Sequence, residues 1–236
     1  MTTRNRGQHS NDIKSFAPKW FPVFTNAVDD FCFLLNRGYT PNAILQLVGN
    51  RYKLNKRQRN AILRISSSDA EVQRRKSNCI TAKALKGKSI SLDGLNILIL
   101  LESALSGAYL FKGRDGTYRD ISSVHGSYKR VTKTEEAIYL IGKIFKELEV
   151  GSVHWYLDQP VSNSGRLKKR LLEISAEEDY NWEATLVFDP DKVLAKSTEV
   201  VVTSDGWILD QVEEWFNLGE YAITHFFGEK VNLVEV

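Results

Sequence analysis

Three apolar runs in this chain each end on an aspartate: SISLDGLNILIL carries Asp93, SVHWYLD ends at Asp158, and EVVVTSD ends at Asp205. A β-rich run that stops on a carboxylate and passes into helix-forming sequence puts that carboxylate at the carboxyl edge of a sheet, where open α/β sheets bind ligands. Carboxylates delivered to one edge from separate strands repel one another unless a cation lies between them, and an all-oxygen set suits Mg²⁺ or Mn²⁺. The chemistry this points to is metal-dependent hydrolysis of a phosphodiester. Asp93, Asp158 and Asp205 are the expected metal ligands. Glu102, nine positions after Asp93, is the expected fourth catalytic carboxylate, because a helix has room to begin in between. Asn96 is expected to orient Asp93 or to touch substrate. Asp93 and Asp205 also fit a plainer role, ending strands and capping the turns that follow.

Directly after Asp158 comes PVSNSGRLK. Ser162 and Ser164 at a helix start leave free N–H groups that suit a phosphate, and Arg166 and Lys168 add positive charge. An ordinary serine-capped helix with solvated basic residues explains the same letters.

Charge is divided unevenly. Residues 1–88 hold 17 Lys and Arg against 5 Asp and Glu, whereas residues 89–236 hold 15 against 24. A basic module joined to an acidic one is a signature of a nucleic-acid-binding part attached to another function. Its densest run supplies Arg51, Tyr52, Lys56, Arg57 and Arg59, with Arg74 and Arg75 beyond. Leu54, Ala61, Ile62 and Ile65 keep one face apolar, leaving the cations as a stripe that can neutralise phosphates while Tyr52 stacks on a base. A merely solvated basic face is the competing reading.

The longest apolar stretch, around Ile97–Leu101, is far short of the about 20 residues a membrane span needs. The polar start MTTRNRGQHSND lacks the apolar core of a signal peptide. Cys32 and Cys79 read as small buried hydrophobes in a reducing compartment, and scattered histidines argue against zinc. A cytoplasmic protein without a membrane partner is expected; a homo-oligomer is left open.

Along the chain, residues 1–15 read as a disordered tail and residues 16–88 as a basic helical domain. Phe24, Ala27, Val28 and Phe31 recur at helical spacing, and Asn55 and the Ser66–Asp69 turn offer caps. From Ser89 to Val236, strands alternate with helices, which predicts a mostly parallel sheet with right-handed crossovers. Residues 106–130 read as an irregular insertion or hairpin, 208–217 as a helix, and the segment from Tyr221 as a strand or packing tail.

Asp93-Gly94-Leu95-Asn96 resembles the D-G-x-N start of PIN-like, and particularly NYN-type, nuclease domains, in which the first-strand aspartate holds a divalent metal. Tyr156-Leu157-Asp158 and Val202-Thr203-Ser204-Asp205 resemble the second and fourth strand ends of the same fold, so the resemblance covers residues 89–218. With GNRYKL and LDQPVSNSGRLK added, the whole chain is similar to a prokaryotic family in which a small helical domain precedes a PIN-like domain of unknown function. The resemblance implies an α/β fold: a small N-terminal helical domain followed by a PIN-like three-layer domain (89–236) with a mostly parallel sheet. It also implies a Mg²⁺- or Mn²⁺-dependent nuclease with RNA as the favoured substrate.

One step departs from that pattern. Where the family commonly presents acids at the helix after strand three, this chain has Phe188-Asp189-Pro190-Asp191. Either Asp189 and Asp191 take over, or the site is incomplete. In the 106–130 insertion, Asp115 and Asp120 are candidates to complete or cover the pocket; both also fit solvated turn residues, Asp115 more readily because Asp-Gly is a hairpin-turn signal. Two alternatives stand beside the nuclease. One is a non-catalytic RNA-binding or adaptor protein on a degenerate PIN-like fold. The other is a small-molecule phosphohydrolase or nucleotide-binding enzyme using the SNSGRLK loop.

Overall fold

A computed structural model of the chain describes residues 7, 9–122, 128 and 132–236. Its first third is helical. α1 (Asp12–Ser15), α2 (Phe21–Asn36), α3 (Pro41–Arg51), α4 (Lys56–Ile65) and α5 (Asp69–Asn78) pack around Phe16, Phe24, Phe31, Ile44, Val48 and Ile62. α2 buries Phe24, Ala27, Val28 and Phe31, the stripe that three- and four-residue spacing puts on one face. Asn55 caps α4 and Ser68 caps α5. Each cap is reciprocated by the side chain three residues on, Gln58 and Glu71 respectively, which satisfies backbone groups that a helix start leaves open.

The expected disordered tail is corrected over the part described. Asp12 is buried in α1, where Arg57 of α4 grips both its oxygens at 2.6 and 2.8 Å. Phe16 then enters the core. Residues 1–6 and 8 lie outside the described residues.

The rest of the chain is mixed α/β. β1 (Ser89–Asp93), α6 (Gly94–Leu105), β2 (Tyr109–Lys112), β3 (Tyr118–Arg119), α7 (Thr134–Glu147), β4 (Ser152–Asp158) and α8 (Ser164–Glu177) come first. β5 (Trp182–Val187), α9 (Pro190–Leu194), β6 (Val200–Val202), α10 (Gly206–Leu209), α11 (Leu218–Ala222) and β7 (Asn232–Val234) follow. β1, β4, β5 and β6 form a four-stranded, wholly parallel sheet in the order β5-β4-β1-β6. The chain moves outward from β1 to β4 to β5, then returns across the sheet to β6. That reversal falls between β1 and β6, the kind of position where α/β sheets open a crevice for ligands.

Strand alternation divides the sheet's two faces. Ile90, Leu92, Val153, Trp155, Leu157, Val200 and Val202 share one core with α6, α7 and α8. On the other face Val201 and Tyr156 meet Leu194 of α9 and Ile208 and Leu209 of α10. Asp93 and Asp158 belong to this second face, because they alternate with the residues of the first. Gly94 lets the chain turn from β1 into α6 there: a Cβ would sit 2.6 Å from Leu157 Cδ2 and 2.9 Å from the Tyr156 carbonyl.

A second sheet, β3-β2-β7, carries Phe111 and Val234 into the helical core. The hairpin expected around Asp115-Gly116 is present as the antiparallel β2–β3 pair. The helix predicted over 208–217 is only the short α10, because Trp215 is drawn off to bridge Val201 and Cys79. The segment from Tyr221, expected as a strand or packing tail, begins as the end of α11 and reaches a strand at β7. Cys32 and Cys79 are free thiols. No helix among the described residues is long and apolar enough to cross a membrane.

Candidate active site at the carboxyl edge of the sheet

Register fixes where the acids stand. Asp93 closes β1 opposite Tyr156 of β4, so Asp158 lies two residues further along its strand, about 7 Å beyond. On the other side Leu92 pairs with Val202, and Thr203, Ser204 and Asp205 continue past the end of β6. Asp158 pairs with Val187 of β5, after which Phe188 and Asp189 lead into α9. Asp93, Asp158, Asp191 and Asp205 therefore share one edge of the sheet.

Asp93 is the innermost, 6% exposed. Thr203 Oγ1 donates to its Oδ2 at 2.7 Å, and the Asn96 N–H donates to Oδ1 at 3.4 Å. Burial pushes its carboxyl up to about 7 against those two hydrogen bonds, and the negative charges of Asp191 and Asp205 add to the rise. Desolvation likewise raises Asp158, with Asp189 contributing. It raises Asp191 too, helped by Asp205, Asp158 and Asp189. The carboxylates thus feel one another across the edge. Among the described residues no Lys or Arg pairs with Asp93, Asp158, Asp191 or Asp205; Lys192 is taken by Asp189 at 2.7 Å.

Several of these acids also cap, as the plainer reading expected. Asp205 Oδ1 accepts from the N–H groups of Trp207 (2.9 Å) and Ile208 (3.3 Å), and Asp189 Oδ1 accepts from Lys192 N–H (3.1 Å). Each cap occupies one carboxylate oxygen. Asn96 does a different job from touching Asp93 with its side chain: its Oδ1 accepts from Ser204 N–H and Ser204 Oγ, both at 2.8 Å. It thereby pins the Thr203–Asp205 loop beside β1. Among the described residues no three His, Cys, Asp or Glu groups are disposed to hold an ion. The acids are neighbours along an edge and not a closed ligand set.

Glu102 is elsewhere. It sits nine residues along α6 from Asp93, about 13 Å of helix axis, and is fully buried. Tyr128 donates its hydroxyl to Glu102, and Thr134 Oγ1 donates at 2.6 Å. The expected fourth catalytic carboxylate is therefore a buried structural acid. Asp120 is likewise not brought to the row. It accepts from Ser122 N–H and faces Arg64 at 3.9 Å, on the seam with the helical part. Burial raises its carboxyl, with Arg64 opposing.

The loop after Asp158 opens α8 at the same edge. Asn163 adopts a left-handed conformation (φ 74°) and its Nδ2 donates to the Tyr128 carbonyl at 2.9 Å. Ser162 is exposed, while Ser164 is buried with its hydroxyl unpaired among the described residues. Arg166 is exposed and Lys168 half-buried, and neither is tied to an acid among the described residues.

Much of the basic stripe read as a nucleic-acid interface is tied within the fold, while Arg51, Lys56 and Arg74 stay exposed. Arg75 is buried, with Nη1 2.7 Å from Asp115 Oδ2 and Nη2 2.6 Å from Asp210 Oδ2. Arg57 holds Asp12. Arg59 donates to Asn50 Oδ1 at 2.8 Å and to the Leu54 carbonyl at 2.9 Å. Arg51 pairs with Asp30 at 3.3 Å, and Tyr52 donates its hydroxyl to the same carboxylate at 2.8 Å. Among the described residues the Arg74 side chain reaches only the Asp210 carbonyl, at 3.5 Å, and Lys56 stays exposed.

Asp115, expected in solvent, is buried between Arg75 and Arg119. Burial would raise its carboxyl, but those two guanidinium groups and Thr117 outweigh it and hold it well below the usual carboxylate range. Three residues of consequence went unread in the sequence. Thr203 carries a signal, being part of the T-S-D triplet. Arg119 and Asp210 carry none, because their meeting with Arg75 and Asp115 is wholly long-range.

Residues 82–221 match the family described as a domain of unknown function, DUF5616, and residues 23–78 match a protein of unknown function, DUF434. The uncharacterized protein MJ0935 of Methanocaldococcus jannaschii is 39% identical over 183 residues, covering 78% of this chain and 87% of that protein. No solved structure matches the chain. With its acidic edge built wholly from residues inside the longer match, the chain belongs to the DUF5616 family.

Proposed function

We propose that the protein is a metal-dependent nuclease of PIN-like type, acting on RNA in preference to DNA. The observation that carries this reading is the delivery of Asp93, Asp158, Asp191 and Asp205 to one sheet edge, where no basic side chain among the described residues pairs with them. The donor set is all oxygen and electrostatically strained, which fits Mg²⁺ or Mn²⁺ in chemistry. The capping bonds of Asp205 engage Oδ1, and Asp191 is exposed on α9. A bound ion would supply Lewis acidity toward the phosphodiester and offset the repulsion of the acids.

The chain's own residues do the rest. Thr203 holds Asp93 in place through Oδ2, and Asn96 holds the loop that carries Asp205. The start of α8, with Arg166 and Lys168, offers N–H groups and positive charge to a phosphate lying over Asp158. Asp191 fills the acidic step where the family pattern departs.

The test is cleavage of end-labelled RNA, with the matching DNA and free nucleotides, under Mn²⁺ and under chelator. Wild type should cut RNA only with the ion, and Asp93→Asn should lose at least about a hundred-fold, the scale of one electrostatic catalytic contact. Cleavage that persists in Asp93→Asn removes the mechanism. A second reading, non-catalytic nucleic-acid binding, is favoured by the open spacing of the acids. It predicts binding with no cleavage under any divalent ion.

A further inference from the structure

A cleft of about 430 Å³ opens beside the acidic edge, where the helical part faces the reversal between β1 and β6. Phe31, Leu35 and Leu63 line it from the helical part; Asn96 of α6, Asp205 and Trp207 of α10 line it from the α/β part. Its volume lies in the usual range of small-ligand sites, about 300–1,000 Å³. Trp207 is 52% exposed, whereas Trp155, Trp182 and Trp215 are at most 9% exposed. An indole left half in water while its neighbours Ile208 and Leu209 are fully buried is not there for packing. Its position relative to Asp205 is set, because the Asp205 carboxylate caps the backbone N–H of Trp207 itself.

The charges around the cleft select its occupant. Arg64, Arg75 and Arg119 reach it, but Arg75 and Arg119 are neutralised by Asp115, and Arg75 also by Asp210. Arg64 faces Asp120 at 3.9 Å, and Glu71 and Asp205 add negative charge to the lining. Gly206 makes room for this arrangement, since a Cβ there would lie 2.9 Å from Arg75 Nη2. An anion would therefore gain little, while a flat neutral group with polar edges would gain stacking on the indole and contact with Leu35 and Leu63. Asn96 offers such an edge a donor: its Oδ1 is satisfied by Ser204, and its Nδ2 has no partner among the described residues.

We propose that this cleft is a nucleobase subsite, with Trp207 as the stacking platform, seating the base of the nucleotide next to the phosphate over the acidic row. Phe188, 77% exposed at the end of β5, gives a second ring at the far end of the same row. A single strand crossing the edge would meet an aromatic face at each side, the device by which single-stranded nucleic acids are held without duplex geometry. The placement beside that phosphate rests on the nuclease reading; the base binding does not.

The experiment is binding of single-stranded oligouridylate and oligoadenylate of about ten nucleotides, and their deoxy counterparts, to the full chain in EDTA. Anisotropy reports affinity and tryptophan fluorescence reports contact. Wild type should bind with quenched emission. Trp207→Ala should lose the quench and weaken binding about ten-fold, the effect expected of one stacked base, while Trp207→Phe should lose the quench yet bind within about three-fold of wild type. The side chain is exposed, so unchanged melting temperatures would show that the variants fold. Equal affinity of wild type and Trp207→Ala, or no binding by wild type, overturns the subsite. Trp207-dependent binding without cleavage under Mn²⁺ keeps the subsite and removes the nuclease. Cleavage with a KM indifferent to Trp207→Ala does the reverse.

Discussion

Thr203 donates its hydroxyl to Asp93 across the gap between β6 and β1, at 2.7 Å. The bond joins the ends of the two strands between which the sheet reverses direction, and it is the strongest influence holding the Asp93 carboxyl down against burial. Thr203→Val keeps the β-branched shape and removes the donor. Asp93 should then titrate above its present value of about 7, and the pH at which Mn²⁺ first binds should rise with it. Calorimetric Mn²⁺ titrations at a series of pH values would measure this. An unmoved profile would mean that the hydroxyl does not govern Asp93.

Asp93 also makes stability depend on pH. Its folded value, about 7, lies above its unfolded value near 4, so between those values the folded chain holds a proton that the unfolded chain has released. Stability is then fully present below about pH 4 and falls as pH rises through about 7, by an amount on the order of 2–4 kcal/mol. Asp93→Asn should flatten that limb and melt higher than wild type at pH 8. Mn²⁺ should raise the wild-type melting temperature most at pH 8 and leave Asp93→Asn nearly unaffected. An identical metal response in both proteins would remove Asp93 from the ion's surroundings.

Asp115 runs in the opposite direction. Its carboxyl is held low by Arg119 and Arg75, so it stabilises the fold above about pH 4, and that contribution is lost as pH falls further. Asp115→Ala leaves two buried guanidinium groups short of a partner and should cost about 3–5 kcal/mol, the scale of breaking a buried ion pair. Urea unfolding at neutral pH checks the magnitude. Loss of less than about 1 kcal/mol would show that Asp210 alone suffices for Arg75.

Glu102 separates the sequence's proposal from the structure's. Glu102→Gln should destabilise the fold by about 1–3 kcal/mol through its bonds with Tyr128 and Thr134, and leave Mn²⁺ affinity within about two-fold. A large fall in Mn²⁺ affinity with the melting temperature unchanged would return Glu102 to the acidic row.

Much of this architecture is local and was legible. The helical spacing in α2, the caps at Asn55 and Ser68, the Asp-Gly hairpin and the strand ends at Asp93 and Asp158 are each decided within a few residues. Two limits on reading the site were physical. Glu102 follows Asp93 closely in sequence, but a straight helix carries it away at about 1.5 Å per residue. Cations along Arg51–Arg75 look alike as letters, yet burial and a facing acid such as Asp12 or Asp210 turn some of them into internal ties.

The sequence by itself determined that Asp93 and Asp158 end strands and that Asn55 and the Ser66–Asp69 turn start helices, because alternation, helical spacing and capping are short-range. Only the tertiary structure decided that β6 lies beside β1, that Asp191 joins the acids while Glu102 leaves them, and that Trp207 faces a cleft under the helical part. Those relations join residues scores of positions apart. They depend on strand order and on which side chains lose water together, and no local pattern encodes either.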